Sequence, residues 1–236
     1  MPARQEIELE EEFRALIEGL PPERLIRELC EVRSTPLVPE IRAYLASEEH
    51  SFWRQGEEAM HAYHFGMPFW GIPWAGGLAL ARYLLDHPHV VQGKRIWCFA
   101  SGAGLEAIAA CRSGATQVTV NDIDALACDA ALLNATLNHV TFDSCTYDAI
   151  GRMDLGADVV LAGDFCYDEG LAARVFSWFE LLHNQGVEIL VGDPGRTFLE
   201  RERLHSVWET RTEPGHEYDD PDVRRTAVFR YQSPTR

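Results

Sequence analysis

From residue 94 to residue 192 the chain repeats one pattern, a short apolar run followed by a longer amphipathic stretch. The apolar runs, at 95–100, 117–122, 140–144, 158–163 and 187–192, are too short for buried helices and read as strands. The stretches at 104–113, 124–138 and 168–184 read as helices, the last carrying Leu171, Val175, Trp178, Phe179 and Leu182 on one face. Short buried strands separated by helices mean crossover connections, and therefore an α/β fold on a mostly parallel sheet. The tail breaks the pattern. After a helix near 197–204, strands at 205–212 and 226–232 flank the polar segment 213–225, a hairpin that would add an antiparallel edge.

A chain of 236 residues, 46% hydrophobic, can bury one substantial core plus a short appendage. The appendage is expected at 1–48, a helical extension ahead of a main domain at 49–236. Ile7, Phe13, Leu16, Ile17 and Leu20 recur at helical spacing before Pro21-Pro22, Leu25, Ile26 and Leu29 mark a second helix, and Pro39 opens a third through Ile41, Tyr44 and Leu45. The segment 51–78 is dense in aromatic residues and glycine, with Trp53, Tyr63, Phe65, Phe69, Trp70 and Trp74 among Gly66, Gly71, Gly76 and Gly77. It reads as a compact loop packed by its own rings, with a helix from Leu78 to about Asp86 behind it.

With 37 acidic against 21 basic residues the formal charge is -16, which repels a phosphate backbone and argues against nucleic acid or an anionic membrane surface as partner. Lys94 is the single lysine, so Schiff-base or P-loop chemistry has almost nothing to rest on. Cys30, Cys98, Cys111, Cys128, Cys145 and Cys166 show no CxxC or zinc spacing and read as free thiols of a reducing compartment. His61 with His64, or His87 with His89, lacks accompanying carboxylates or thiols, so no metal site is expected. No apolar run reaches the roughly 20 residues of a membrane span. The acidic amino terminus does not resemble a basic leader, and the expected location is the cytoplasm.

In an open parallel sheet a ligand binds at the carboxyl ends of the strands where their order reverses. The first strand ends in Ser101-Gly102-Ala103-Gly104, a Gly-x-Gly turn entering a helix, and with Leu105-Glu106-Ala107 it fits a GxGxxA fingerprint. Asp122 ends the second strand about 20 residues beyond Gly102, where a carboxylate can accept ribose hydroxyls. An adenosine-containing cofactor follows from that spacing. The fourth strand ends in Gly163-Asp164-Phe165-Cys166-Tyr167. If the parallel strands run 3-2-1-4-5, the first and fourth flank the reversal point, and Asp164 and Tyr167 face the glycine turn. The fifth ends in Asp193-Pro194-Gly195-Arg196, a turn signature in which Arg196 is equally a candidate substrate contact.

The run from Phe69-Trp70-Gly71-Ile72-Pro73-Trp74 through the glycine turn, Asn121-Asp122-Ile123-Asp124, Gly163-Asp164-Phe165-Cys166-Tyr167-Asp168 and Gly192-Asp193-Pro194-Gly195-Arg196 resembles the lysine methyltransferases that act on the electron transfer flavoprotein beta subunit. The resemblance spans about residues 34 to 232. It implies a Rossmann-like class I methyltransferase with a seven-stranded sheet of order 3-2-1-4-5-7-6, S-adenosylmethionine as cofactor, and a lysine of that protein as substrate. It also implies that Trp74, Ser101, Gly102, Ala103, Gly104, Asp122, Ile123, Asp148 and Gly163 bind the cofactor, Trp74 near its methionine end and Asp148 near the adenine. Asp164 and Tyr167 would stand at the target lysine. One position departs from the pattern: where the family carries an acid on the first strand, this chain has Cys98, which offers no charged hydrogen bond.

Two other readings fit part of the sequence. The GxGxxA turn and the following acid also suit a nicotinamide-dependent oxidoreductase, although no Tyr-x-x-x-Lys pair is present and the one lysine precedes the first strand. A methyltransferase fold weakened at Cys98 could equally serve as a non-catalytic binding module.

Overall fold

A computed structural model describes residues 20–46, 69–211 and 225–233. The expected first helix through Ile7, Phe13 and Leu16, the rings of Trp53, Tyr63 and Phe65, the pair His61 and His64, and the polar segment 213–224 lie outside the described residues.

Four of the five parallel strands follow the reading of the apolar runs, whereas the strand expected at 140–144 is a short one at Asp143–Cys145 that begins only after Val140 and Phe142 have turned to pack on the core. Strands β3 (Arg95–Phe99), β4 (Gln117–Asn121), β5 (Asp143–Cys145), β6 (Val159–Gly163) and β7 (Glu188–Asp193) pair in parallel. Helices α3 (Leu105–Arg112), α4 (Ala125–Leu137) and α5 (Glu169–Asn184) connect them. Asp124 and Asp168 cap the last two, accepting from Leu126 N at 2.9 Å and Leu171 N at 2.8 Å. The tail returns as the hairpin of β8 (Leu204–Thr210) and β9 (Thr226–Tyr231), β9 lying antiparallel against β7. The sheet order is β5-β4-β3-β6-β7-β9-β8, which is 3-2-1-4-5-7-6 when its own seven strands are numbered in sequence. Order reverses between β3 and β6, so their carboxyl ends frame the crevice.

One face of the sheet is covered by α5, whose Val175, Phe176, Trp178, Phe179 and Leu182 pack on Phe99, Val160, Ile189, Val191 and Tyr231. The other is covered by α3 and by α2 (Ala75–Asp86), through Leu78, Leu80, Leu84 and Ile108 against Ile96, Val159, Leu161 and Leu190. Helix α2 starts three residues ahead of the expected Leu78, because Gly76 and Gly77 are needed helically. A Cβ on Gly76 would lie 2.1 Å from the Gly192 carbonyl oxygen, so only glycine lets the helix press onto the ends of β6 and β7.

Two expectations need correction. The helix through Ile41, Tyr44 and Leu45 is instead strand β2 (Ala43–Ala46), antiparallel to β1 (Cys30–Arg33), with α1 (Pro22–Leu29) before it. The reason is tertiary. Asn134 Oδ1 accepts from Tyr44 N at 2.7 Å, and Asn138 accepts from Arg42 N at 3.1 Å and donates to Arg42 O at 2.6 Å, so extended backbone is satisfied from α4. Leu25, Ile26 and Leu29 of α1 bury against Ala127 and Ala130, each worth roughly 1.5–3 kcal/mol when fully removed from water. The helix near 197–204 is only a 3-10 turn, Arg201–Arg203. Buried Leu199 and Leu204 on either side need an extended chain to reach the core from both ends.

Candidate active site

The chain leaves β3 through a turn that few side chains tolerate. Ala100, Gly102 and Gly104 all have positive φ, at 50°, 48° and 74°. Gly104 cannot be replaced without displacing α4, since its Cβ would stand 2.9 Å from Ala131 Cβ. Asn134 Nδ2 donates to Ala103 O at 3.0 Å and fixes the turn from behind. Asp122 fixes it from the side, accepting from Gly102 N and Asp124 N, each at 3.1 Å. Burial pushes the Asp122 carboxyl up, against the pull of these amides. The Ser101 hydroxyl is buried and has no hydrogen-bond partner among the described residues.

Opposite the turn, β6 ends in Asp164, itself at φ 56°. Its carboxylate is held on both oxygens: Gly77 N donates to Oδ2 at 3.0 Å and Arg196 Nη2 to Oδ1 at 3.1 Å. Arg196 is placed by the turn after β7, where Asp193 Oδ1 accepts from Gly195 N at 2.6 Å and Arg196 N at 2.7 Å. Its guanidinium also lies 5.4 Å from the centre of the Trp74 ring, whose Nε1 donates to Phe69 O at 2.9 Å. Despite the amide and the guanidinium, burial wins and pushes Asp164 up to about 6.

Between these walls runs a cleft of about 400 Å³, counting its open mouth. It brings together Trp74, Ser101, Gly102, Ala103, Gly163 and Asp164 of the expected site residues. Gly104 and Asp122 stand just behind the lining, as supports of the turn. Ile123 is 77% exposed beside them, and Tyr167 is 68% exposed at the rim, where burial and Asp122 push its hydroxyl up and Arg196 pulls it down. Asp148 is apart from the cleft, accepting from Ile150 N at 3.0 Å and Arg174 Nη2 at 2.8 Å. Two lining or supporting residues were not singled out from the sequence. Glu106 lines the cleft, and its one legible signal was to be the only charge in the apolar run 105–110. Asn134, buried in α4, joins Tyr44 to the turn and carried no signal at all.

The fit to an adenosine-bearing, amino-acid-bearing ligand can be read from the cleft itself. It has a left-handed glycine turn, an orphaned hydroxyl at Ser101 and the carboxyl groups of Glu106 and Asp164 in its lining. No group of three or more His, Cys, Asp or Glu among the described residues could hold a metal ion. His87 Nδ1 lies 3.0 Å from Tyr83 O.

A seven-stranded sheet of this order, with a glycine turn and an acid at the ends of its first two strands, defines a class I methyltransferase that uses S-adenosylmethionine. The family profile described as ribosomal protein L11 methyltransferase (PrmA) matches residues 80–164. The chain is 37% identical to the electron transfer flavoprotein beta subunit lysine methyltransferase of Danio rerio, over 85% of this chain and 79% of that one. It is 40% identical to that of Xenopus laevis, over 74% and 71%, and 34% identical to that of Homo sapiens, over 88% and 80%. It belongs to the electron transfer flavoprotein beta subunit lysine methyltransferase family. Among solved structures, the ribosomal protein L11 methylase of Lactobacillus delbrueckii subsp. bulgaricus aligns with a TM-score of 0.46 at 17% identity, over 65% of this chain and 77% of that one.

Proposed function

We propose that this enzyme methylates a lysine of the electron transfer flavoprotein beta subunit, with the cofactor in the cleft between the glycine turn and Asp164. The observation that carries the reading is the pairing of these two walls across the sheet reversal, in a chain whose relatives bear that activity in their names. Bound S-adenosylmethionine supplies an electrophilic methyl group on a sulfonium. Gly102 and Gly104 shape the turn that holds it, Ser101 and Ala103 line it, and Asp122 and Ile123 take the adenosine side. Trp74 and Gly163 bound the opposite end. Asp148, paired with Arg174, would stand on the adenine side.

The substrate amine must arrive neutral. A lysine with pKa about 10.4 pays roughly 4.6 kcal/mol for this at pH 7. A lone carboxylate would make the cost larger by favouring the ammonium, but Asp164 is already matched by Arg196. The pair offers the incoming amine an acceptor oxygen whose charge Arg196 partly offsets. As the methyl transfers, positive charge grows on nitrogen, and the fixed Asp164 carboxylate stabilises it. Tyr167 at the rim and the Trp74 ring exclude water from the alkyl chain of the lysine. The -16 formal charge supports a partner with basic residues beside its target and weighs against nucleic acid.

No helix among the described residues is long and apolar enough to cross a membrane, and all six cysteines are free, which supports a reducing location such as the cytoplasm. The test is incubation of the purified protein with the electron transfer flavoprotein and S-adenosylmethionine, read by intact mass and peptide mapping. Methyl groups on lysines of the beta subunit are expected. Silence on this substrate beside methylation of another protein in a lysate would overturn the substrate and keep the chemistry.

A further inference from the structure

We propose that Glu106 binds the α-ammonium group at the methionine end of the cofactor, through a charge-assisted hydrogen bond in the floor of the cleft. The proposal rests on the reading of that cleft as the S-adenosylmethionine site. Glu106 is the second residue of α3 and is 5% exposed, yet it lines the cleft beside Ser101 and Gly77. Helix α2 leaves room for it: a Cβ on Gly77 would lie 3.8 Å from Glu106 Oε2. The carboxyl accepts from its own backbone amide and has no ion-pair partner among the described residues.

Every charged or titratable neighbour in this floor is an acid or a thiol. Cys98 approaches from β3, Asp122 from the end of β4 and Asp164 from the end of β6. Burial first, then the two carboxylates, push Glu106 up to about 8, and burial with Glu106 pushes the Cys98 thiol well up. Arg196 is engaged with Asp164, and Asp122 is engaged with two amides. Glu106 therefore faces the cleft as a desolvated carboxyl that lacks a cation, and a buried carboxylate is tolerated only when a cation and hydrogen-bond donors meet it.

The cofactor brings two cations. The sulfonium has no hydrogen to donate, whereas the ammonium has three. Only the ammonium can satisfy the carboxylate by hydrogen bonding, and the orphaned Ser101 hydroxyl in the same wall adds an acceptor.

The test uses S-adenosylhomocysteine, which carries the ammonium without the sulfonium, and methylthioadenosine, which carries neither. Each is titrated calorimetrically into the full-length wild-type protein and E106Q, at pH 7 in two buffers of different ionisation heat. E106Q should bind S-adenosylhomocysteine about 10- to 100-fold more weakly, the loss of one charged hydrogen bond. It should bind methylthioadenosine as the wild type does. Because Glu106 is mostly protonated before binding, the wild type should release about one more proton than E106Q on taking S-adenosylhomocysteine.

Equal affinity or an equal proton count would remove Glu106 from the ammonium. Equal loss for both ligands would make it a packing residue. Failure of the wild type to bind either ligand would instead overturn the reading of the cleft. If E106Q does not fold, the wild-type proton count against pH carries the test, since a maximum below pH 8 that is absent for methylthioadenosine is required.

Discussion

Replacing Asp164 by Asn separates what this carboxylate costs the fold from what it gives the reaction. Asn accepts a positive φ readily and its single oxygen can still accept from Gly77 N, while the bond from Arg196 Nη2 is given up. The charge is what changes. Asp164 is pushed from an ordinary value of 3.8 to about 6 in the folded protein, which means that ionisation is opposed by the fold even with Arg196 present. A carboxyl whose folded value lies above its unfolded one stabilises fully below the unfolded value, near pH 4, and loses that contribution as pH rises through 6. At 1.36 kcal/mol per unit, the ionised form costs the protein about 3 kcal/mol at pH 8.

D164N carries no such cost. Without ligand it should be as stable as wild type near pH 4 and more stable at pH 8, by up to about 3 kcal/mol, or a Tm several degrees higher for a chain of this size. Turnover should move the other way, falling about 100- to 1000-fold with the loss of a fixed group facing developing charge. Affinity for S-adenosylhomocysteine, held by the opposite wall, should change little. Thermal melts at pH 4 and 8, calorimetric binding and initial rates together make the assay. A variant less stable than wild type at pH 8, or one that loses cofactor affinity in step with turnover, would refute the placement of Asp164 at the amine.

In wild type, kcat/KM for the protein substrate should rise with pH through about 6 as Asp164 of the free enzyme ionises, and D164N should lack that limb. Gly76→Ala should destabilise by about 1–3 kcal/mol, since its methyl meets the Gly192 carbonyl and Asp164; a denaturant melt no different from wild type would contradict the close approach. Asn134→Ala leaves Tyr44 N and Ala103 O without their partner and should cost roughly 2–4 kcal/mol, with weaker cofactor binding because the turn loses its rear support. Tyr167→Ala should raise KM for the protein substrate more than it lowers kcat, as expected of a rim residue, and an effect confined to cofactor affinity would place it elsewhere.

The sheet is legible from pattern alone. Apolar runs of five or six residues between amphipathic helices leave few alternatives to crossover connections, and the position of Asp122 after the glycine turn follows from local geometry alone. Capping by Asp124 and Asp168 was equally local. What the sequence could not express was anything fixed by groups far apart along the chain. The residues around Tyr44 have helical spacing, but Asn134 and Asn138, some 90 positions later, satisfy an extended backbone there. The same holds for the site. Asp164 reads as a strand-end acid, yet its dependence on Gly77 and Arg196 exists only where α2 and the turn after β7 converge. Glu106 looks like a helix surface charge until the fold buries it beneath the cleft, and burial, a property of the packed molecule, is what turns an ordinary carboxyl into one that needs a ligand cation.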